Sequence, residues 1–206
     1  MRVVVYRCGA LLGALLVVVF LGGVAHGEVR QPRMGIFTKE GARIDLSLQF
    51  IDAGGRQASL GSRVISDRPF ILVPIFYRCP RLCGLTLSGV RDLINRLSLT
   101  LGTEYSVIAY SFNADDTVAD ASKKRLDLMG GLSHAPTQEN ALQFLISDRE
   151  TIATINEQLG FRVRYADKEL EHSSAIFIVS PNGDIRRYFA GVDFDPQKVG
   201  ASLRGD

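Results

Sequence analysis

An excess of either charge is missing from this chain. Its 206 residues carry 24 Lys and Arg against 22 Asp and Glu. Arg2 and Arg7 precede Glu28 and no acidic residue does, so the chain from Glu28 onward holds 22 of each sign. Without a basic excess there is no electrostatic footprint for nucleic acid, and none is expected as a partner. Cysteine is scarce as well, and three residues cannot build a disulfide framework. Cys8 sits in an apolar N-terminal segment, which leaves Cys79 and Cys83 as the one pair in the remainder. Histidine beyond residue 27 is limited to His134 and His172. Internal repeats and low-complexity tracts are absent. A composition 46% hydrophobic and 22% charged excludes a disordered or collagen-like chain. The length fits one domain.

What is present begins with an address. Arg2 and Arg7 precede Cys8–Ala25, a run without charge that is rich in Leu, Val, Ala and Gly, and Glu28, Arg30 and Arg33 follow it. This order matches a secretory signal, with Ala25-His26-Gly27 offering small residues for cleavage before Glu28. The run is also close to the shortest that spans a bilayer, so it can remain as an anchor. Residues 1–27 are therefore expected to be a signal peptide or membrane anchor, and residues 28–206 an exported domain on the periplasmic face. That domain is soluble if the segment is cut and held by residues 8–25 if it is not.

The exported part alternates between two periods. Arg43 to Phe50 places Ile44, Leu46, Leu48 and Phe50 on one side and Asp45, Ser47 and Gln49 on the other, which predicts a half-buried strand. Asp52 to Arg56 reads as a turn around Gly54-Gly55. Phe70 to Tyr77 is a nearly continuous apolar run, as in a strand covered on both faces. Leu87, Val90, Leu93, Ile94 and Leu97 then recur at helical spacing, predicting a helix from near Pro80 to about Leu97. Tyr105–Phe112 reads as a strand, Ala119–Met129 as a helix and Leu142–Ile146 as a weak strand. Ser147 and Glu150 have capping-box spacing ahead of a helix that Gly160 stops. Ser174–Val179 is a second continuous apolar strand, Asn182-Gly183 a hairpin turn into Ile185–Phe189, and Asp195–Leu203 a last helix. Alternating strands and helices with a terminal hairpin predict a single α/β domain, a thioredoxin-like mixed sheet with helices against it.

The chemistry concentrates on Cys79-Pro80-Arg81-Leu82-Cys83, where an apolar strand enters a helix. A helix N-terminus favours negative charge and therefore thiolate, and Arg78 and Arg81 are expected to add positive charge beside it. Residues four apart share a helical face, so both sulfurs can converge on one point. Two such thiolates hold a soft ion such as Cu(I), or close into a reversible Cys79–Cys83 disulfide. The Cys-x-x-x-Cys spacing alone does not separate these roles, because dithiol oxidoreductases use one residue fewer. His134, in the loop-like stretch from Gly130 to Pro136, reads as solvent-exposed. His172 stands directly before the apolar strand, at the end where such sheets gather functional groups. It is open there to two readings, a third ligand or an internally satisfied histidine. Asp115, Asp116 and Glu171 read as solvated surface carboxylates, with tuning of the site or docking of a partner as the alternative.

Three segments in order resemble the SCO/SenC family of copper-binding, thioredoxin-fold assembly factors of cytochrome c oxidase. They are Phe76 to Cys83, Ser111 to Thr117, and Glu171-His172-Ser173 followed by the strand and Ser180-Pro181-Asn182-Gly183. The resemblance spans nearly all of the exported part. It implies that Cys79, Cys83 and His172 bind copper, as Cu(I) or Cu(II). It also implies a partner, the copper-binding subunit of a respiratory oxidase, and a single N-terminal anchor. Two positions depart from the family pattern: Arg81 stands where an acidic residue is usual, and Gly84 where proline is frequent. The added cation favours Cu(I) over Cu(II) and favours thiolate. The competing expectation is an exported thiol-disulfide reductase that keeps the oxidase subunit's cysteines reduced, with Cys79 attacking and Cys83 resolving. A thiol peroxidase would need peroxide-orienting groups, and none is recognisable beyond Cys79.

Overall fold

The computed structural model describes residues 34–37, 41–79, 82–166 and 169–206. The expected address over residues 1–27 lies outside them. Among the described residues no helix is long and apolar enough to cross a membrane.

In chain order the elements are β1 (Gly35–Ile36), β2 (Gln49–Asp52), β3 (Gln57–Ser59), β4 (Phe70–Ile75), α1 (Leu82–Arg96), β5 (Ser106–Ser111), α2 (Val118–Met129) and β6 (Leu142–Ile146). They continue with α3 (Arg149–Leu159), β7 (Phe161–Arg162), β8 (Arg164–Ala166), β9 (Glu169–Glu171), β10 (Ala175–Val179), β11 (Ile185–Ala190) and α4 (Pro196–Arg204). Seven strands form one sheet in the order β11-β10-β4-β5-β6-β2-β3. Its centre, β4-β5-β6, is parallel, and antiparallel neighbours complete both sides. This is the thioredoxin-like mixed sheet that the alternation of strands and helices predicts. β1 pairs with β7 and β8 with β9 in two small ribbons outside it.

The two continuous apolar runs became fully buried strands, because a run without alternation must be covered on both faces. Every residue of β4 and of β10 is buried. Helix α1 turns Thr86, Val90 and Leu93 inward and leaves Leu85 and Arg96 exposed. Burying side chains such as Val90 and Leu93 stabilises the fold by ~1.5–3 kcal/mol each. Helix α2 packs on β6 and β2, and α4 on β10.

Two local expectations need correction. Between Arg43 and Phe50 the faces alternate as expected, with Ile44 and Phe50 buried and the odd-numbered residues exposed. The segment is nevertheless no strand before Gln49. Asp45 Oδ1 accepts the backbone N–H of Ser47 at 2.8 Å and its hydroxyl at 2.6 Å, which folds the chain into a turn. The N-cap of α3 is Asp148, which accepts the Thr151 N–H, and not Ser147. Ser147 donates instead to Gln49 O at 2.6 Å. Gly160, by contrast, closes α3 in the left-handed conformation, at φ 64°.

The Asp52 turn is held by charge as well as by backbone shape. Asp52 Oδ1 accepts the N–H groups of Gly54 and Arg56 at 2.9 Å each. Its Oδ2 accepts from Arg63 Nη1 at 2.7 Å and from Arg56 Nε at 3.1 Å. Burial works to raise this carboxyl's pKa, but the donors from Arg56 and Gly54 and the charge of Arg63 outweigh it and hold it below the usual range. A depressed folded value makes the contribution complete above the unfolded value of about 3.9 and lost as pH falls through the folded one. Asp52→Asn is therefore expected to cost about 3 kcal/mol near neutrality, as for a broken buried pair. It should also flatten the acid side of the stability curve below about pH 4. Urea denaturation at stepped pH measures both effects, and an unchanged acid limb would remove Asp52 from the account.

Candidate metal centre

Strand β4 delivers Cys79. Past Ile75 the chain leaves the sheet, and Cys79 N–H closes a turn onto Phe76 O at 3.2 Å. Tyr77, within this turn, is buried, and its hydroxyl lies 2.8 Å from Leu145 O and 3.1 Å from Ala109 O on the neighbouring strands. Burial drives the Tyr77 phenol's pKa well upward, so it stays a neutral donor. Cys79 itself is a free, half-buried thiol. Cys83 lies in the first turn of α1, while its side chain, like Pro80 and Arg81, lies outside the described residues.

Strand β10 delivers His172. The ladder between β4 and β10 pairs Phe70 with Val179 and Leu72 with Phe177. It ends two residues before Pro74, which has no N–H to donate. His172 lies three residues before β10, the strand that runs antiparallel beside β4. Thr86, one turn beyond Cys83 in α1, donates its hydroxyl to Ser174 Oγ at 3.0 Å and so ties the helix to the histidine segment. The structure thus brings together the Cys79 turn, the first turns of α1 and the His172 segment. It leaves His134 exposed on its loop.

His172 is buried at 8% exposure. Its Nδ1 lies 3.0 Å from Ser173 O, and a carbonyl can only accept, so Nδ1 carries the proton. Metal-ligating imidazoles are commonly oriented through such a backbone carbonyl contact. The ring also packs on Phe112, with centroids 4.8 Å apart. Phe112 touches Phe76 from another side at 6.4 Å, so one aromatic ring backs both the Cys79 turn and the imidazole. Among the described residues no three His, Cys, Asp or Glu side chains form a group able to hold a metal ion. Two thiolates and one imidazole, the set expected from the sequence, would suit a soft ion.

The charges around the site are arranged differently from the sequence expectation. Arg78 does not add free positive charge beside Cys79. Its Nε donates to Asp116 Oδ1 at 2.9 Å and its Nη2 to Asp115 O at 2.7 Å. Asp116 is correspondingly no solvated carboxylate, since its side chain is fully buried. Its Oδ2 accepts the Tyr77 N–H at 2.8 Å and the Ser111 hydroxyl at 2.6 Å. Asp115 is exposed, and Glu171 pairs with Arg164 across the β8–β9 ribbon. The sequence carried a partial signal for Asp116. Thr117 and Asp120 form a reciprocal capping box on α2, which puts Asp116 immediately before the helix start. The Thr117 hydroxyl and N–H, joined by the Arg78 charge, hold the Asp120 carboxyl below its ordinary range.

By sequence, no described protein family and no curated protein matches this chain. Solved structures do match it by shape. A protein of Aquifex aeolicus VF5 superposes with a TM-score of 0.69 at 22% identity, covering 80% of this chain and 92% of its own. Copper-bound ScoI of Arabidopsis thaliana superposes with a TM-score of 0.62 at 16% identity, covering 77% and 97%. This is the Sco fold. BsSco, a member of the Sco family of cytochrome c oxidase assembly proteins in which a disulfide switch is identified, has a TM-score of 0.62 at 18% identity, covering 81% and 95%. The shared fold includes the parallel strand that feeds the cysteine-bearing helix and the antiparallel strand that His172 precedes.

Proposed function

We propose that this chain is a Sco-type copper protein that passes copper to the copper-binding subunit of a respiratory oxidase. The observation that carries this reading is the convergence just described. Thr86 of α1 bonds Ser174, two residues past the buried His172, and the Phe112 ring packs against both His172 and Phe76 at the start of the Cys79 turn. Cys79 and Cys83 would hold the ion as thiolates and His172 through Nε2. Copper is cargo in this scheme. A low-coordinate ion bound by exchangeable thiolates can pass to a partner's cysteines one ligand at a time, without being released to water. The N-terminal address places the domain on the periplasmic face, free or tethered by residues 8–25.

The test is a competition titration of Cu(I) into the reduced full chain. One tightly held equivalent is expected, weakened in Cys79→Ser. Weak binding that ignores Cys79 would contradict the proposal.

The half-buried but accessible thiol of Cys79 favours a second reading, thiol-disulfide exchange with the same oxidase subunit. The Cys79 thiolate would attack one sulfur of the partner's disulfide, forming a mixed disulfide and releasing one partner thiolate. Cys83 thiolate would then attack Cys79 Sγ and release the second. The partner gains two electrons, and this chain ends as the Cys79–Cys83 disulfide. Exchange needs no imidazole, so dependence on His172 separates the two readings.

A further inference from the structure

Among the described residues, the Cys79 turn is closed by a backbone hydrogen bond of 3.2 Å onto Phe76 O. The two residues before Cys79 are tied to one carboxylate. Asp116 accepts the Tyr77 N–H on one oxygen and the Arg78 guanidinium on the other. Arg78 extends the hold with its second contact to Asp115 O and lies 3.7 Å from Asp120. The carboxylate is itself rigidly placed. It accepts from Ser111 at the end of β5 and sits at the N-terminus of α2, whose dipole favours its charge.

We propose that Asp116, acting through Arg78 and the Tyr77 N–H, is the positioning residue that sets Cys79 against Cys83. The inference rests on the Cys79–Cys83 site proposed above, and it adds a residue pair to that site that binds no metal. Two sulfurs that must meet at one ion, or bond to each other, tolerate displacements of only about 0.5 Å before the geometry is lost. A fork of two N–H donors in one plane supplies that precision, and the point charge of a lysine does not.

The experiment uses the full chain with Arg78→Lys, Asp116→Asn and the double variant. Arg78 is half exposed, so Arg78→Lys folds in any case. Two quantities are read beside urea stability: the Cys79–Cys83 dithiol–disulfide equilibrium against dithiothreitol, and Cu(I) affinity. Each single variant is expected to shift the equilibrium about tenfold toward the dithiol, about 30 mV for a two-electron couple. Cu(I) affinity should fall by about tenfold or more, as when an outer-sphere partner is lost. The double variant should be no worse than either single, because the pair acts as one unit. Variants that change urea stability alone, with both readouts at wild-type values, would overturn the proposal. So would a shift in Asp116→Asn with none in Arg78→Lys. If the wild type holds no Cu(I), the copper reading fails, and the disulfide equilibrium still decides on the clamp.

Discussion

His172→Ala will hold Cu(I) more than about a hundredfold less tightly than the wild type, beyond the range seen for loss of an outer-sphere partner. In the proposed site, removing the imidazole leaves two thiolates and takes away a ring that the structure contacts from two sides. Ser173 O holds Nδ1–H at 3.0 Å, and the Phe112 ring packs on the face at 4.8 Å. The same substitution should leave the Cys79–Cys83 disulfide equilibrium near its wild-type value, since the imidazole takes no part in sulfur exchange. That split distinguishes a ligand from a packing residue. A histidine that only fills space beside Phe112 would disturb both readouts through the turn at Phe76, or neither. Competition titration and a dithiothreitol equilibrium on the same preparation give the two numbers.

Gly89→Ala is expected to destabilise the protein by about 3 kcal/mol, at the upper end of the overpacking range. Two effects oppose each other here. In a helix interior alanine is favoured over glycine by about 1 kcal/mol. Against this, a Cβ at residue 89 would stand 1.8 Å from Val192 O and 2.9 Å from Val192 C, with the Phe194 ring at 3.2 Å. Backbone blocks the new methyl, so α1 has to move away from the 191–194 segment by more than an ångström. The clash wins. Because Thr86 and Cys83 ride on the same helix, the shift should also lengthen the Thr86–Ser174 hydrogen bond and weaken Cu(I) binding. Chemical denaturation measures the first effect and titration the second. A stabilised Gly89→Ala would mean that α1 sits further from this segment than 1.8 Å implies.

Much of this fold could be read in the residues, and the reasons differ by element. β4 and β10 were legible because continuous apolar runs can only be strands covered on both faces. Helices α1, α2 and α4 were legible from their spacing. The segment from Arg43 to Phe50 shows the limit of such reading. Its alternation reported faithfully which side is buried, yet Asp45 diverts the backbone into a turn that periodicity does not register. The short ribbons β1–β7 and β8–β9 have too few residues to carry a period at all. At the site, the placement of Cys79 at a strand end and of His172 ahead of β10 followed from the sequence. The pairing that brings their segments alongside, β10 antiparallel to β4, joins residues more than a hundred positions apart. The role of Asp116 was hidden for the same reason. A carboxylate followed by Thr117 resembles surface, and only the folded chain brings Tyr77 and Arg78 to it.

Copper K-edge X-ray absorption on the reduced full chain loaded with one equivalent of Cu(I) tests the proposed site most directly. The account predicts a first shell of two sulfurs and one nitrogen, with the imidazole scattering lost in His172→Ala. A shell of sulfur alone, unchanged by that substitution, would contradict it.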